Sequence, residues 1–452
     1  MAAGGLYDQI GGGFHRYSVD EAWHIPHFEK MAVDNAALLE LYLAAARYSP
    51  GPDWETTIDG IIDWTRTVLV DPEGGVASSQ DADSAPGDDG SYFTWSRAEI
   101  QAVLPAEDAR FAIRLFGVGA DGRMPHDPQR SVLYRAGTPS EAAAGVLSPD
   151  RDPTEAASDV IAALRAARDR RTAPKVDPAL YGHINGRFIG ALGRASVQRG
   201  PPTFREIATR AADRWLLHGV DPDRGVAHRI DARGGHGYGH LEDNAQFALG
   251  LIDLALLTGR RTYAEAVGPI LEKIVADFPD DQSRLRDLAP RLYDGSRVGA
   301  EFRPTYPFED QPHIGAGPAA VRALHRWALA TESEELARAA RRLWEPMAAR
   351  TGGLFSAGVA LAGAELDLPG TTVIVEGEGP EADALLKAAW SSPQPNLVVF
   401  RGSPPPPFRL PTAVRSVAGG STARALVCVG VSCRAPITEP RELSRSLGSV
   451  AG

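Results

Sequence analysis

The residues with the most chemical potential in this chain lie in its first forty positions. Gly11-Gly12-Gly13-Phe14-His15-Arg16-Tyr17 leads into Trp23-His24-Ile25-Pro26-His27-Phe28-Glu29-Lys30-Met31, followed by Asp34-Asn35. Pliable backbone, flat aromatic surface, and proton donors and acceptors together are what a concave small-molecule site requires. Within it, His24, His27 and Glu29 have the spacing His-x-x-His-x-Glu. On a helix, positions three apart share a face and two imidazoles can hold a metal. Pro26, however, marks a helix start and leaves His24 outside it. The reading kept is therefore a polar mouth lined by His27 and Glu29, with no metal. Arg16 and Lys30 either bind a carboxylate or phosphate or neutralise the neighbouring acids.

A second stretch, Ser79-Gln80-Asp81-Ala82-Asp83-Ser84, precedes Asp88, Asp89, Tyr92 and Trp95. Paired carboxylates suit glycoside hydrolysis. Alternate residues of an extended segment point opposite ways, so Asp81 and Asp83 need not converge, and Asp88 and Asp89 read as a solvated turn. Asp81 is kept as a candidate catalytic carboxylate with Gln80 beside it. Trp95 either stacks on a sugar ring or anchors a helix start in the core. Farther along, Glu242 and Asp243 fall in a first helical turn, where acids are favoured by the helix dipole whether or not they act. His228 lies in the loop before them.

These stretches have to be positioned by helices. Apolar residues recur at three- and four-residue spacing in 36–46, 53–70, 183–198, 202–218, 241–258, 260–277, 313–331 and 333–350. Short joins at Thr258-Gly259-Arg260 and Ala330-Thr331-Glu332 make antiparallel hairpins. Long glycine-rich loops at 71–95, 119–151, 221–240 and 279–312 separate the pairs, and function concentrates in such loops. Hairpins alternating with long loops predict a mainly α chain whose hairpins can close into a toroid, with the loops gathered at one mouth; a plain helical solenoid is the competing architecture. After residue 352 the pattern changes to β-branched runs at 371–375, 396–400 and 425–429, with a helix at 380–391 and another at 440–447. The division expected is a helical toroid over 1–352 and a small α/β region with a parallel sheet over 353–452.

The chain has 452 residues, 43% hydrophobic and 23% charged, with a net charge of −11. No basic stripe suggests nucleic acid; Arg165, Arg168, Arg170 and Arg171 read as the charged end of a helix. No run approaches the ~20 apolar residues of a membrane span, and no signal peptide is visible. Two cysteines, Cys428 and Cys433, fit a reducing compartment and a cytoplasmic protein. With four residues between them they are expected as thiols, a disulfide requiring a turn that brings their α-carbons within ~7 Å.

The stretch from Gly5 through Asp20, Trp23 and Pro26 to Met31 resembles the helical part of the spermatogenesis-associated, thioredoxin-domain-bearing proteins. Ser79 to Ser84 with Gly90, Tyr92-Phe93 and Trp95 matches that family's next signature. Leu241-Glu242-Asp243 matches a third, and Cys428, Cys433 and Pro436 a closing one. The resemblance implies a six-hairpin, (α/α)6-type toroid related to sugar epimerases and glycosidases; about ten helices can be placed where a closed one needs twelve, so the toroid is expected to be incomplete and completed by a partner chain or by self-association. The chain departs from the family in three ways. It has no thioredoxin-like domain and no Cys-x-x-Cys, and it starts after the family's first hairpin. The family's Asp-Asp-Lys segment is here Asp177-Pro178-Ala179, leading to Ile184-Asn185-Gly186.

Gly239-His240-Leu241-Glu242 is also similar to the Gly-His-x-x-Glu element that carries a catalytic histidine in N-acylglucosamine 2-epimerases, and Pro312-His313 loosely resembles their second histidine. An epimerase takes a proton from one face of a carbon and returns one to the other, which suits two imidazoles on opposite walls. The resulting expectation is a carbohydrate-active epimerase or isomerase with His240 and His313 exchanging protons and no cofactor. His15, Arg16, His27, Glu29, Gln80, His228 and Asp243 would bind a sugar-like ligand, with Tyr17, Trp23 and Trp95 stacking on it. Two alternatives stand beside it. One is a glycoside hydrolase using Asp81 and Glu242. The other is a non-catalytic protein that binds a ligand or partner.

Overall fold

A computed structural model describes the chain except for residues 50, 89, 121, 123, 201, 293–304, 311, 312, 351–354, 411–421, 431 and 449–452. Asp89, Pro312 and the expected boundary at 352/353 lie outside the described residues. The architecture is mainly α, with fifteen helices among the described residues, several small sheets and an α/β C-terminal part. The helices beyond the expected ten include short ones such as Arg97–Val103, Ala106–Leu115 and Pro139–Ala143, too brief to show a helical period.

The chain divides into two compact units. Unit 1 comprises Met1–Tyr42, Gly51–Val70 and Ala77–Pro178. Its apolar centre is formed by Trp95, Ile100, Phe111, Phe116, Val160 and Leu164, from short helices and from Pro153–Arg168. Local signals set these helices. Ser96 and Glu99 form a reciprocal capping box, and the Asp152 carboxylate accepts from the Thr154 and Glu155 amides. Lys30–Met31, Ser79–Gln80 and Val176–Asp177 form a three-stranded sheet, antiparallel throughout.

Unit 2 comprises Leu43–Pro50, Asp71–Val76 and Ala179–Gly452. Three helices, Gly182–Gln198, Leu241–Thr258 and Ala316–Thr331, pack side by side. Each is followed by a partner, Pro202–His218, Arg261–Asp277 or Glu334–Ala348, after a short turn. The first three are buried over most of their surfaces and the partners on one face. They run parallel. A Cβ on Gly186 would sit 2.4 Å from Phe247 Cα, and one on Gly190 would sit 3.1 Å from Gly250 Cα, so the register advances together along both helices. Removing side chains at 186, 190 and 250 lets the two backbones touch.

The C-terminal sheet has the order Leu397–Arg401, Thr371–Glu376, Arg424–Val429, Ser432–Cys433. Its first pair is parallel, joined through the helix Pro380–Trp390, as a βαβ unit should be. The third strand is antiparallel, so the sheet is mixed rather than parallel. Cys428 and Cys433 form a disulfide, contrary to the expected thiols. The turn before Ser432–Cys433 folds that strand back on Arg424–Val429 and sets the two cysteines opposite each other, with α-carbons 4.0 Å apart. Among the described residues, no helix is long and apolar enough to cross a membrane.

Candidate functional site

In unit 2, four histidines gather about the start of the helix Leu241–Thr258. The strand Gly225–Asp231 pairs with Leu180–Tyr181, in register Arg229 to Tyr181. This brings His228 against Tyr181 (ring centroids 5.0 Å) and places it parallel to His183 (6.0 Å, 15° between planes). Asn244 ties the strand to the helix. Its side-chain oxygen accepts from the Val226 amide, and its side-chain nitrogen donates to the His240 carbonyl. Gly225 is left-handed (φ 84°), and a Cβ there would lie 2.3 Å from the Asn244 oxygen, so glycine is required.

Asp243 is the hub. One carboxylate oxygen accepts from the His183 amide at 2.9 Å and lies 3.0 Å from His183 Nδ1, and the other lies 2.8 Å from His228 Nδ1. The hydrogen bond that His228 donates to Asp243 raises the pKa of His228 against the opposing effect of burial. The His240 ring lies 4.6 Å from that of His228, tilted by 30°, and burial lowers its pKa. His313 Nε2 stands 3.6 Å from Glu242 Oε1. Burial pushes the Glu242 carboxyl up, but His313, His183 and Arg187 outweigh it and hold the group at about 2. Of the two acids in this turn, Asp243 is the buried one, and it sits three residues after His240. His183, His228 and Asp243 present two imidazole nitrogens and a carboxylate within 4.8 Å of one another, a set able to hold a metal ion.

His183 was missed in the sequence. The available signal was positional: Gly182-His183 opens one helix of the parallel set just as Gly239-His240 opens the next.

The unit 1 candidates fall into a buried and a more exposed group. His15 is 3% exposed, wedged edge-on between Phe28 and Phe93, with its Nδ1 donating to the Phe28 carbonyl at 2.7 Å. Gln80 is buried and accepts from the Trp64 indole. Trp95 is 1% exposed with the Arg171 guanidinium 3.9 Å over its ring, which is its helix-anchor reading rather than a stacking surface. Lys30 is buried and donates to Asp8 at 2.7 Å, and Arg168 donates to both Asp8 oxygens at 2.8 and 2.9 Å. Arg168 is thus engaged inside unit 1.

In the other group Arg16, Tyr17, Trp23 and Asp81 are exposed, and His27 and Glu29 are partly buried. Arg16 pairs with Glu29 at 3.0 Å, and Tyr17 lies flat on His27 (5.0 Å, 17°) across the pairing of Tyr17–Ser18 with Pro26–His27. Pro26 therefore begins a strand and not a helix. Trp23 is 43% exposed in a left-handed conformation (φ 62°) that a bulky residue rarely adopts. The Asp20 carboxylate holds that loop by accepting from the Ala22, His24 and Ile25 amides. Asp81 is exposed, and its carboxylate accepts from the Ala82 amide.

This is a chain of helical hairpins whose parallel helices open on histidines. No family model matches it. Human Spermatogenesis-associated protein 20 is 29% identical over 285 residues, covering 56% of this chain and 36% of the human protein. The rat protein of the same name is 26% identical over 342 residues, 67% of this chain and 40% of that protein. The matched stretch thus spans little more than a third of these relatives, and the resemblance carried by the motifs is the one found. Among solved structures, a sugar epimerase from a ruminal bacterium aligns with TM-score 0.38 at 12% identity, over 76% of this chain and 82% of that one. A cellobiose 2-epimerase from Bacillus thermoamylovorans aligns with TM-score 0.41 at 9% identity, over 77% and 84%.

Proposed function

We propose that unit 2 is a carbohydrate-directed isomerase or epimerase site in which His240 and His313 exchange protons with a sugar. The observation that carries this reading is that His313 reaches the helix start that His240 caps, facing Glu242 two residues after it. Residues about seventy positions apart in sequence meet at one helix start, with 3.6 Å between His313 Nε2 and Glu242 Oε1. One imidazole removes the proton from the carbon next to the sugar carbonyl, and the electron pair moves to the carbonyl oxygen. The other imidazole returns a proton to carbon, to the opposite face in an epimerase, and the carbonyl re-forms. Glu242 steadies the His313 ring through each change of charge. Tyr181 and His228 supply flat surface beside the reacting centre.

The test is incubation with a panel of aldoses and ketoses in deuterium oxide, followed by NMR at the position next to the carbonyl. Deuterium should enter at least one sugar with the wild type. It should fall at least a hundredfold in His240→Ala and in His313→Ala, with helical circular dichroism retained. An absence of exchange across the panel, or exchange unchanged in both variants, overturns the reading.

A further inference from the structure

We infer that His183, His228 and Asp243 form a binding site for a single divalent transition-metal cation of the zinc class. This goes beyond the isomerase reading and does not depend on it. The argument begins with buried charge. Asp8, Asp243, Asp253, Glu365 and Glu376 are the buried acids among the described residues. An ionised carboxylate out of water needs a cation beside it. Asp8 has Lys30 and Arg168, Asp253 has Arg194 and Arg326, Glu365 has Arg322, and Glu376 has Arg424. Asp243, 1% exposed, is the exception: its ion-pair partners among the described residues are His183 and His228. Where the other four hold a permanently charged side chain, this one holds two metal-ligating rings.

The spacing fits one ion. Donors about 2.0–2.2 Å from a zinc-class cation stand about 3.0–3.5 Å apart around it, from right-angle to tetrahedral arrangements, and the donor atoms here all lie within 4.8 Å of one another. His183 Nδ1 is 3.0 Å from one Asp243 oxygen and His228 Nδ1 is 2.8 Å from the other, so an ion between the rings would meet the carboxylate edge-on. The set is held from outside as well, because the His183 amide donates to the same Asp243 oxygen that faces its ring, so the carboxylate is oriented before any cation arrives. The rings come from separate elements, a helix start and a strand, and the His228 side chain is 39% exposed, which leaves a path for the ion and positions open for water or substrate. Two imidazoles and one carboxylate suit zinc, iron(II), cobalt(II) or manganese(II) better than calcium or magnesium, which favour all-oxygen shells. Without a cation each ring must carry its proton on Nδ1, facing Asp243. With one bound, neutral rings carry the proton on Nε2, so occupancy is readable as a tautomer change.

The test uses the full chain, stripped with a chelator and titrated with zinc or cobalt(II) chloride in the absence of sugar. Expected are one ion per chain by elemental analysis after dialysis, visible absorption bands with cobalt, and a move of the His183 and His228 ring protons from Nδ1 to Nε2 by nitrogen NMR. Asp243→Asn and His183→Gln should reduce the stoichiometry to background, while His313→Ala and His236→Asn should retain one ion. His236 pairs with Asp231 on the surface and controls for adventitious binding. Wild-type protein that stays metal-free, or keeps both ring protons on Nδ1 when zinc is present, overturns the site even if the ligand variants fail to fold. So does binding lost in His236→Asn and retained in Asp243→Asn. His313→Ala separates the two readings, since it should abolish deuterium exchange and leave metal binding intact.

Discussion

His15 shows how a residue type that invites a catalytic reading can instead set stability. Burial first, and the nearby Lys30 charge second, push its pKa from 6.5 down to about 3. The folded chain therefore binds fewer protons at this site than the unfolded chain does between these values. The neutral ring's contribution is complete above pH 6.5 and is lost as the pH falls toward 3, at up to about 1.4 kcal/mol per pH unit. His15→Asn keeps a donor for the Phe28 carbonyl and removes the titration. It should be less stable at pH 7, through lost contact with Phe28 and Phe93, and should show a shallower loss between pH 6.5 and 4.5. Urea unfolding followed by tryptophan fluorescence at several pH values measures the difference; parallel curves for wild type and variant would refute it. At this scale the sequence was a partial guide. It indicated His228, His240, Glu242, Asp243 and His313, because histidines and acids beside a helix start stand out. It overlooked His183, and it could not separate His15 and Gln80, which face inward, from Tyr17 and Trp23, which face outward. Composition within the glycine-rich segment is the same for both groups, and only the turns decide orientation.

At the scale of elements, helical periodicity was far more legible. The expected 183–198, 202–218 and 241–258 are found as Gly182–Gln198, Pro202–His218 and Leu241–Thr258. Two-residue strands and the hairpin Gly225–Asp231 with Gly234–Tyr238 were not legible, because a glycine-rich stretch has no alternation to read. A repeated device also lay in view. Asn35, Asn185 and Asn244, each four residues into its helix, bind both backbone groups of Phe14 and of Val76, and the amide of Val226, respectively. The same unit has thus been used three times, and Asp-Asn-Ala recurs at 34–36 and 243–245. The glycines of Gly182–Gln198 test the packing. At Gly186 a Cβ meets Phe247 backbone at 2.4 Å, whereas at Gly193 it meets the tip of Leu257 at 3.0 Å, which can rotate away. Gly186→Ala should lower stability, since overpacking costs roughly 1–3 kcal/mol against a helix-propensity gain of about 1 kcal/mol. Gly193→Ala should be neutral or stabilising. Thermal unfolding by circular dichroism would decide, and equal melting temperatures for the two variants would contradict the contact.

For the molecule as a whole, unit 1 is tied together by one buried cluster rather than by long parallel helices. Asp8, Lys30 and Arg168 come from the beginning of the chain, the strand before its first long helix, and the last residue of Pro153–Arg168. Asp8 also accepts from the Ile10 and Gly11 amides, so the glycine-rich turn is part of the same lock. Burial raises the Asp8 pKa, but Arg168 and Lys30 outweigh it and hold the carboxyl far below the ordinary range; burial draws Lys30 down to about 8. Asp8→Ala strands two cations in an interior where Lys30 is 1% and Arg168 5% exposed. Breaking a buried pair in this way costs roughly 3–5 kcal/mol, a large share of a domain's stability. The loss should be regional. Hydrogen exchange on the intact chain should show faster exchange in Pro153–Arg168 and at the Lys30–Met31 strand, with protection in Leu241–Thr258 unchanged, because that helix draws its packing from Gly182–Gln198 and Ala316–Thr331. Equal loss of protection in both units would mean that they unfold as one, and unchanged protection in unit 1 would mean that the cluster contributes little beyond neutralising itself.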